Sequence, residues 1–247
     1  MSKISVLIPV YNVSSYVKEA VLSVLELQMD NSLVGVELEV IIVDDCSADN
    51  TFEICNEIND KRIKTFKNKC NMKICKTLNY ALTHASGDFI LRMDGDDVSL
   101  PSRLKEKMIY LKLHQLDLVG CQMIAIDEDG NELSKGNMPV GVDKVRAACQ
   151  FASPIAHIWL AKREVYEALG GYREIPYAED YDFILRALDK GFRCDNTPEH
   201  LMLIRQRAGN TASTASLKQR KTHKYVLELH KRRMKNHDDD DGFSEAE

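Results

Sequence analysis

Leu38-Glu39-Val40-Ile41-Ile42-Val43-Asp44-Asp45 is a short, mostly β-branched run that stops abruptly on two carboxylates. A run this brief reads as a strand buried on both faces of a sheet. Upstream, Ile4-Ser5-Val6-Leu7-Ile8 has the same character and is ended by Pro9. Between the two, Val17, Ala20, Val21, Val24 and Leu25 fall on one helical face, with Ser14 or Ser15 placed to cap it. Downstream, Asp49 or Asn50 caps a helix carrying Phe52, Ile54, Cys55 and Ile58. A third strand at 63–66 precedes a helix through Leu78, Ala81 and Leu82, which Gly87 ends. Asp88-Phe89-Ile90-Leu91-Arg92-Met93 is a fourth strand, running into Asp94-Gly95-Asp96-Asp97. Strands alternating with helices at this spacing predict an α/β fold with a mostly parallel, doubly wound sheet.

The second half is less regular. Pro101 opens a helix over about 102–114, a favoured place for proline. Residues 118–126 read as a strand and Asp127-Glu128-Asp129-Gly130 as a hairpin turn. Residues 155–160 read as another strand, 162–169 as a helix, Gly170-Gly171 as a break, and 179–190 as a helix closed by Gly191. From Leu217 the composition changes. Eight Lys or Arg residues (218, 220, 221, 224, 231, 232, 233 and 235) interleave with Tyr225, Val226, Leu229 and Met234, and Asp238 to Asp241 follow. Such a tail fits either a solvated helix with a disordered acidic end or a basic helix resting on an anionic membrane.

The 247 residues carry a net charge of -5, 44% hydrophobic and 29% charged side chains, which is ordinary for a globular protein and gives no global reason to bind nucleic acid. No apolar run approaches the roughly 20 residues that cross a bilayer, and the start lacks the pattern of a signal peptide. Seven cysteines with no C-x-x-C pair point to reduced thiols in a cytoplasm.

Three polar clusters follow the strands: Pro9-Val10-Tyr11-Asn12, Asp44-Asp45 and Asp94-Gly95-Asp96-Asp97. In a parallel sheet, ligands bind beyond the carboxyl ends of the strands. Neighbouring carboxylates repel unless a cation or donors offset them. Asp-x-Asp-Asp after a strand suits a hard divalent ion shared with phosphate oxygens, and the ion would offset charge on a leaving diphosphate. Gly95 would let the backbone approach a ligand closely. The spacing of an EF-hand is missing, as are the P-loop, the dinucleotide fingerprint and the hydrolase elbow.

With those residues in place, the chain resembles glycosyltransferase family 2, which has the GT-A fold. The matching stretches are 4–12, 43–51 and 92–104, with Gly170-Gly171-Tyr172-Arg173 and Ala178-Glu179-Asp180-Tyr181-Asp182 similar to the acceptor-side motifs. The resemblance implies a Rossmann-like central sheet with helices on both faces and a smaller acceptor-side region. It would occupy residues 1–216 as one domain, with a nucleotide-binding half at 1–100, an acceptor half at 101–216, and the tail at 217–247.

It also implies roles. Pro9, Tyr11 and Asn12 would line the nucleotide pocket, and Asp45 would hydrogen-bond the base. Asp94 would lie near ribose and sugar, Asp97 would hold the donor sugar, and Asp96 would be the main ligand of Mn2+ or Mg2+. Lys73 and Lys76 are placed to approach the diphosphate, although loop lysines are commonly solvated. Asp44 is open to either nucleotide contact or structural hydrogen bonding. Asp180 would be the general base of an inverting transfer, and Glu179 and Asp182 crowd it, so a raised carboxyl pKa is expected. His157 would face the acceptor, although a lone His beside Ile158 and Trp159 also fits a core position. Arg205 and Arg207 would reach an acceptor diphosphate or close over the donor.

Gln206-Arg207-Ala208 departs from the Q-x-x-R-W of processive relatives, which implies single-sugar addition. The resemblance therefore implies a cytoplasmic transferase moving a UDP-linked hexose to a saccharide on a polyprenyl diphosphate, as in O-antigen or capsule synthesis, with membrane contact through the tail. A nucleotidyltransferase and a non-catalytic sugar-nucleotide binder are the rival readings. The first lacks a basic, glycine-rich loop after strand one.

Overall fold

A computed structural model describes residues 2–27, 35–208, 216–236 and 240–244. Strands β1 (Ser2–Val10), β2 (Val36–Asp44), β3 (Ile63–Lys67) and β4 (Phe89–Arg92) pair in parallel in the order β3-β2-β1-β4. Helices α1 (Val17–Leu25), α2 (Thr51–Glu57) and α3 (Lys73–His84) connect them. The sheet continues through β8 (Leu160–Lys162), β6 (Leu118–Ile126), β9 (Cys194–Arg205) and β5 (Val98–Ser99), while β7 (Glu132–Lys135) pairs with β6. Its long ladders are parallel, including β6 with β9, and the short ones that β5, β7 and β8 make are antiparallel. The remaining helices are α4 (Arg103–Leu113), α5 (Val142–Ala148), α6 (Arg163–Leu169), α7 (Glu179–Asp189) and α8 (Ser216–Asn236).

Alternation along β1 explains the layering. Ile4, Val6, Ile8 and Val10 share one core with α1, Cys55 of α2 and Leu104, Met108 and Leu111 of α4. Leu7 faces the opposite core, with Leu78 of α3 and the apolar faces of α6 and α7. Helices thus cover both faces, as the continuous hydrophobicity of β1 and β2 requires.

Several expectations shift. The run at 155–160 is not a strand until Leu160; Ile155, Ile158 and Trp159 are buried by packing, and only 160–162 join the ladder. Helix α1 is not capped by a serine side chain; Ser14 N–H instead donates to Asp49, which also receives Thr51. The described part of the tail, 216–236 and 240–244, is docked rather than solvated; Asp238 and Asp239 of the acidic end lie outside the described residues. Val226 and Leu229 of α8 are fully buried in the second core, and Asp241 is 3% exposed between two arginines.

Candidate functional site

The loops after β1 and β2 are tied together before any ligand is considered. Asp45 N–H donates to Val10 O, Asn12 N–H to Ser47 Oγ, and Ala48 N–H to Asn12 Oδ1. Asn12 sits at φ 50, a left-handed conformation that Asn tolerates. Pro9 does not end β1 as expected but pairs opposite Val43, with Val10 following opposite Asp44, and Tyr11 presents an exposed ring. Asp44 is fully buried and accepts from Ser47 N–H, which favours its structural reading. Asp45 Oδ1 accepts from Asn68 Nδ2 and Met72 N–H, and Oδ2 from Lys73 N–H. A carboxylate has about four acceptor positions, so Asp45 folds the 68–73 loop and has one position left over. Lys73 contributes its backbone here. Lys76 Nζ lies 2.9 Å from Glu174 in a partly exposed ion pair.

Gly95 has a more local cause than ligand approach. A Cβ there would stand 2.6 Å from Val10 Cγ1, so the loop after β4 packs directly on the end of β1. That packing aims the aspartates. Asp94, Asp97 and His157 bring ligand atoms within 4.8 Å of one another, with His157 Nε2 3.3 Å from Asp94 and 3.8 Å from Asp97. Burial works against charge on the ring, but Asp94 and Asp97 outweigh it and push His157 up to about 9. Burial, with Asp94 and Asp96 adding and His157 opposing, pushes Asp97 up to about 6. Asp94 Oδ1 and His157 Nε2 are buried without a hydrogen-bond partner. Unsatisfied ligand atoms beside a buried carboxylate fit a divalent cation, which would replace the proton held on the imidazole.

Asp96 stands outside this trio. Arg207 Nε holds its carboxylate at 2.7 Å, apart from the three atoms that cluster. Arg205 is engaged within the chain as well. Its guanidinium binds Asp96 O, Asp127 O, Glu128 O and Glu19, its N–H donates to Asp97, and it lies 4.8 Å over the Tyr16 ring. It clamps the aspartate loop to the β6–β7 turn.

The acceptor-side motif meets this cluster through Arg92, at the end of β4. Its guanidinium is 2% exposed, donates to Glu179 at 2.9 Å, lies 3.7 Å from Asp94, and packs against the rings of Trp159 and Tyr172. Burial opposes its charge, but Asp94, Tyr172, Glu179 and Asp180 outweigh that, so it stays cationic. Burial raises Glu179 against the pull of Arg92, and Asp180 adds to the rise. Asp182, by contrast, lies between Arg173 and Arg186 and is withdrawn from the crowd. Asp180 is half-buried in the first turn of α7, with Oδ1 accepting from Tyr181 N–H. Gly171, at φ +80, lets Asn79 clamp the neighbouring Tyr172 from both backbone sides, since a Cβ would stand 2.5 Å from Asn79 Oδ1.

Two buried cations escaped the sequence reading. Arg103 Nη2 donates to Arg92 O and Ile158 O, and Lys107 Nζ also donates to Ile158 O. Burial pulls Arg103 down to about 10 and Lys107 to about 7. They fix the backbone beside Asp94 and His157. Their signal was a pair of cations at i and i+4 alongside the Leu104-Met108-Leu111 stripe.

A family model described as Glycosyl transferase family 2 matches residues 5–170. The chain is 33% identical over 212 residues to the putative glycosyltransferase EpsE of Bacillus subtilis, covering 83% of this chain and 73% of that protein. It is 30% identical to the O-antigen biosynthesis glycosyltransferase WbnJ of Escherichia coli, covering 87% and 84%. Among solved structures, S. aureus TarS 1-349 in complex with UDP-GlcNAc superimposes with a TM-score of 0.74 at 22% identity, covering 99% of this chain and 68% of that one. The mannosyltransferase PcManGT from Pyrobaculum calidifontis, in complex with GDP-Man and Mn2+, gives 0.67 at 20%, covering 96% and 65%. The architecture is the GT-A fold.

Proposed function

This chain belongs to glycosyl transferase family 2, and from that premise we propose that it is an inverting, non-processive transferase moving one hexose from a UDP-sugar to a saccharide acceptor. The acceptor we assign is a saccharide on a polyprenyl diphosphate, in O-antigen or capsule assembly. The observation that carries the reading is the meeting, through Arg92, of the Asp94–Asp97–His157 cluster with the Glu179–Asp180 turn. Similarity to the O-antigen biosynthesis glycosyltransferase WbnJ supports the choice of acceptor class, and the structural neighbour in complex with UDP-GlcNAc that of a UDP-sugar.

Asp94, Asp97 and His157 would hold Mn2+ or Mg2+, with Asp96 available on release of Arg207, and the ion would offset negative charge on the diphosphate. Pro9, Tyr11, Asn12 and Asp45 lie at the carboxyl ends of β1 and β2, where the nucleoside would bind. Asp180 would accept the proton of the acceptor hydroxyl, a role that typically contributes about 10²–10⁴-fold. Arg92 neutralises the adjacent Glu179 and so leaves Asp180 as the carboxylate for proton transfer.

Among the described residues no helix is long and apolar enough to cross a membrane. Helix α8 nevertheless turns Lys218, Arg220, Lys221, Lys224, Lys231, Arg232 and Lys235 outward, with Tyr225 and Met234 exposed among them. That face supports peripheral contact with an anionic inner leaflet.

Incubation of the protein with a panel of UDP-sugars, with and without divalent ions, tests the reading. Metal-stimulated release of UDP is the expected result. Formation of UTP and a sugar 1-phosphate when pyrophosphate is added would identify a nucleotidyltransferase, binding without turnover a carrier, and no affinity for any sugar nucleotide would end the proposal.

A further inference from the structure

Beyond α8 the chain returns to the acceptor side. Both oxygens of Asp241 accept from Arg173 Nη1, at 3.0 and 2.9 Å, and Oδ2 also accepts from Arg233 Nη1. The other edge of Arg173 grips Asp182, through Nε at 3.0 Å and through Nη2. Arg186 Nε holds that same carboxylate at 2.8 Å while its terminal nitrogens donate to Leu169 O and Gly171 O. Phe243 lies against the Arg173 guanidinium at 4.5 Å. Asp182 belongs to the first turn of α7, the turn that also carries Asp180.

A series of charge-assisted hydrogen bonds therefore runs from the tail to Asp182, which shares the first turn of α7 with the candidate base. We propose that Asp241 is a positioning residue for Asp180, acting through Arg173 and Asp182, so that the segment after α8 completes the acceptor side of the site. The proposal rests on Asp180 being the general base. Its physical content is geometric. Held between two carboxylates, the planar guanidinium of Arg173 has one orientation. Without Asp241, Arg173 and Arg186 would share Asp182 alone, and Arg173 could turn toward solvent. The first turn of α7 would then relax. A base must lie within about 3 Å of its proton, and a misplacement of about 1 Å costs on the order of 10²-fold.

The tail has a second anchor that serves as a control. Asp189, at the far end of α7, holds Arg233 Nε at 2.7 Å and His230 Nδ1 at 2.8 Å but does not touch Arg173. In the full chain, Asp241→Asn should lower kcat for transfer about tenfold or more with the donor KM within about twofold, and backbone hydrogen exchange over 178–182 should quicken. Asp241→Glu, which keeps the charge, should recover part of kcat. Asp189→Asn should lower Tm as well but retain kcat. Unchanged kcat in Asp241→Asn, or equal losses in it and Asp189→Asn, overturns the proposal. Should Asp241→Asn not fold, Asp241→Glu decides: its extra methylene displaces Arg173, and wild-type kcat there is equally fatal. If the unmodified protein binds no nucleotide-sugar, the base assignment fails instead, and exchange over 178–182 still reports whether Asp241 orders that turn.

Discussion

Arg92 donates to Glu179 at 2.9 Å across 87 residues of sequence, and this bond joins the end of β4 to the start of α7. Both partners are buried, so removing one strands the other. Arg92→Met should destabilise the fold by about 3–5 kcal/mol, and Arg92→Met with Glu179→Leu should recover most of that loss. Thermal denaturation of the three proteins measures it; a single variant as stable as its parent would show that the pair is not coupled.

Divalent binding should follow the trio. Asp94→Asn, Asp97→Asn and His157→Ala should each weaken Mn2+ binding by about tenfold or more, whereas Asp96→Asn, which removes the partner of Arg207, should weaken it less. Calorimetric titration with Mn2+ ranks the four. An Asp96 variant that loses the most affinity would return the main ligand to that residue.

Asp180→Asn should reduce transfer by about 10²–10⁴-fold while nucleotide-sugar affinity stays near that of the unmodified protein. Comparing turnover with equilibrium binding separates the two effects. Full turnover in this variant would remove Asp180 from the chemistry.

Docking of α8 should depend on pH. A hydrogen bond to Asp189, then one to Cys149, outweighs burial and pushes His230 up to about 9. The raised value means the protonated ring stabilises the docked helix. That contribution is complete below the ordinary imidazole range, near 6.5, and is lost as pH rises through about 9. Proteolysis within 216–236 should therefore accelerate between those limits, and His230→Phe should flatten the dependence. A pH-independent rate in the unmodified chain contradicts this linkage.

The α/β half was legible because β1 and β2 are apolar on both faces, a pattern that surface strands lack. Where side-chain burial and backbone pairing part company, the sequence misleads: Ile155, Ile158 and Trp159 look like a strand because they are buried, yet pairing begins at Leu160. The two-residue β5 and helix α5, which buries only Val145, leave too little pattern to read. At the site, the acidic loops announced themselves, but their partners did not. Nothing local tells Asp96 from Asp97; Arg207, 111 residues away, and His157 make the distinction. Asp241 was hidden for the opposite reason, since one of four consecutive aspartates carries the signature of a solvated run.

Because α8 supplies Val226 and Leu229 to the core beneath α7, the order of synthesis matters. Chains emerge from the ribosome N-terminus first, so the nucleotide-facing strands can pair while that apolar face is still bare. A nascent chain halted before residue 216 would present a sticky, unfinished surface to chaperones, and maturation would end with the helix settling onto it.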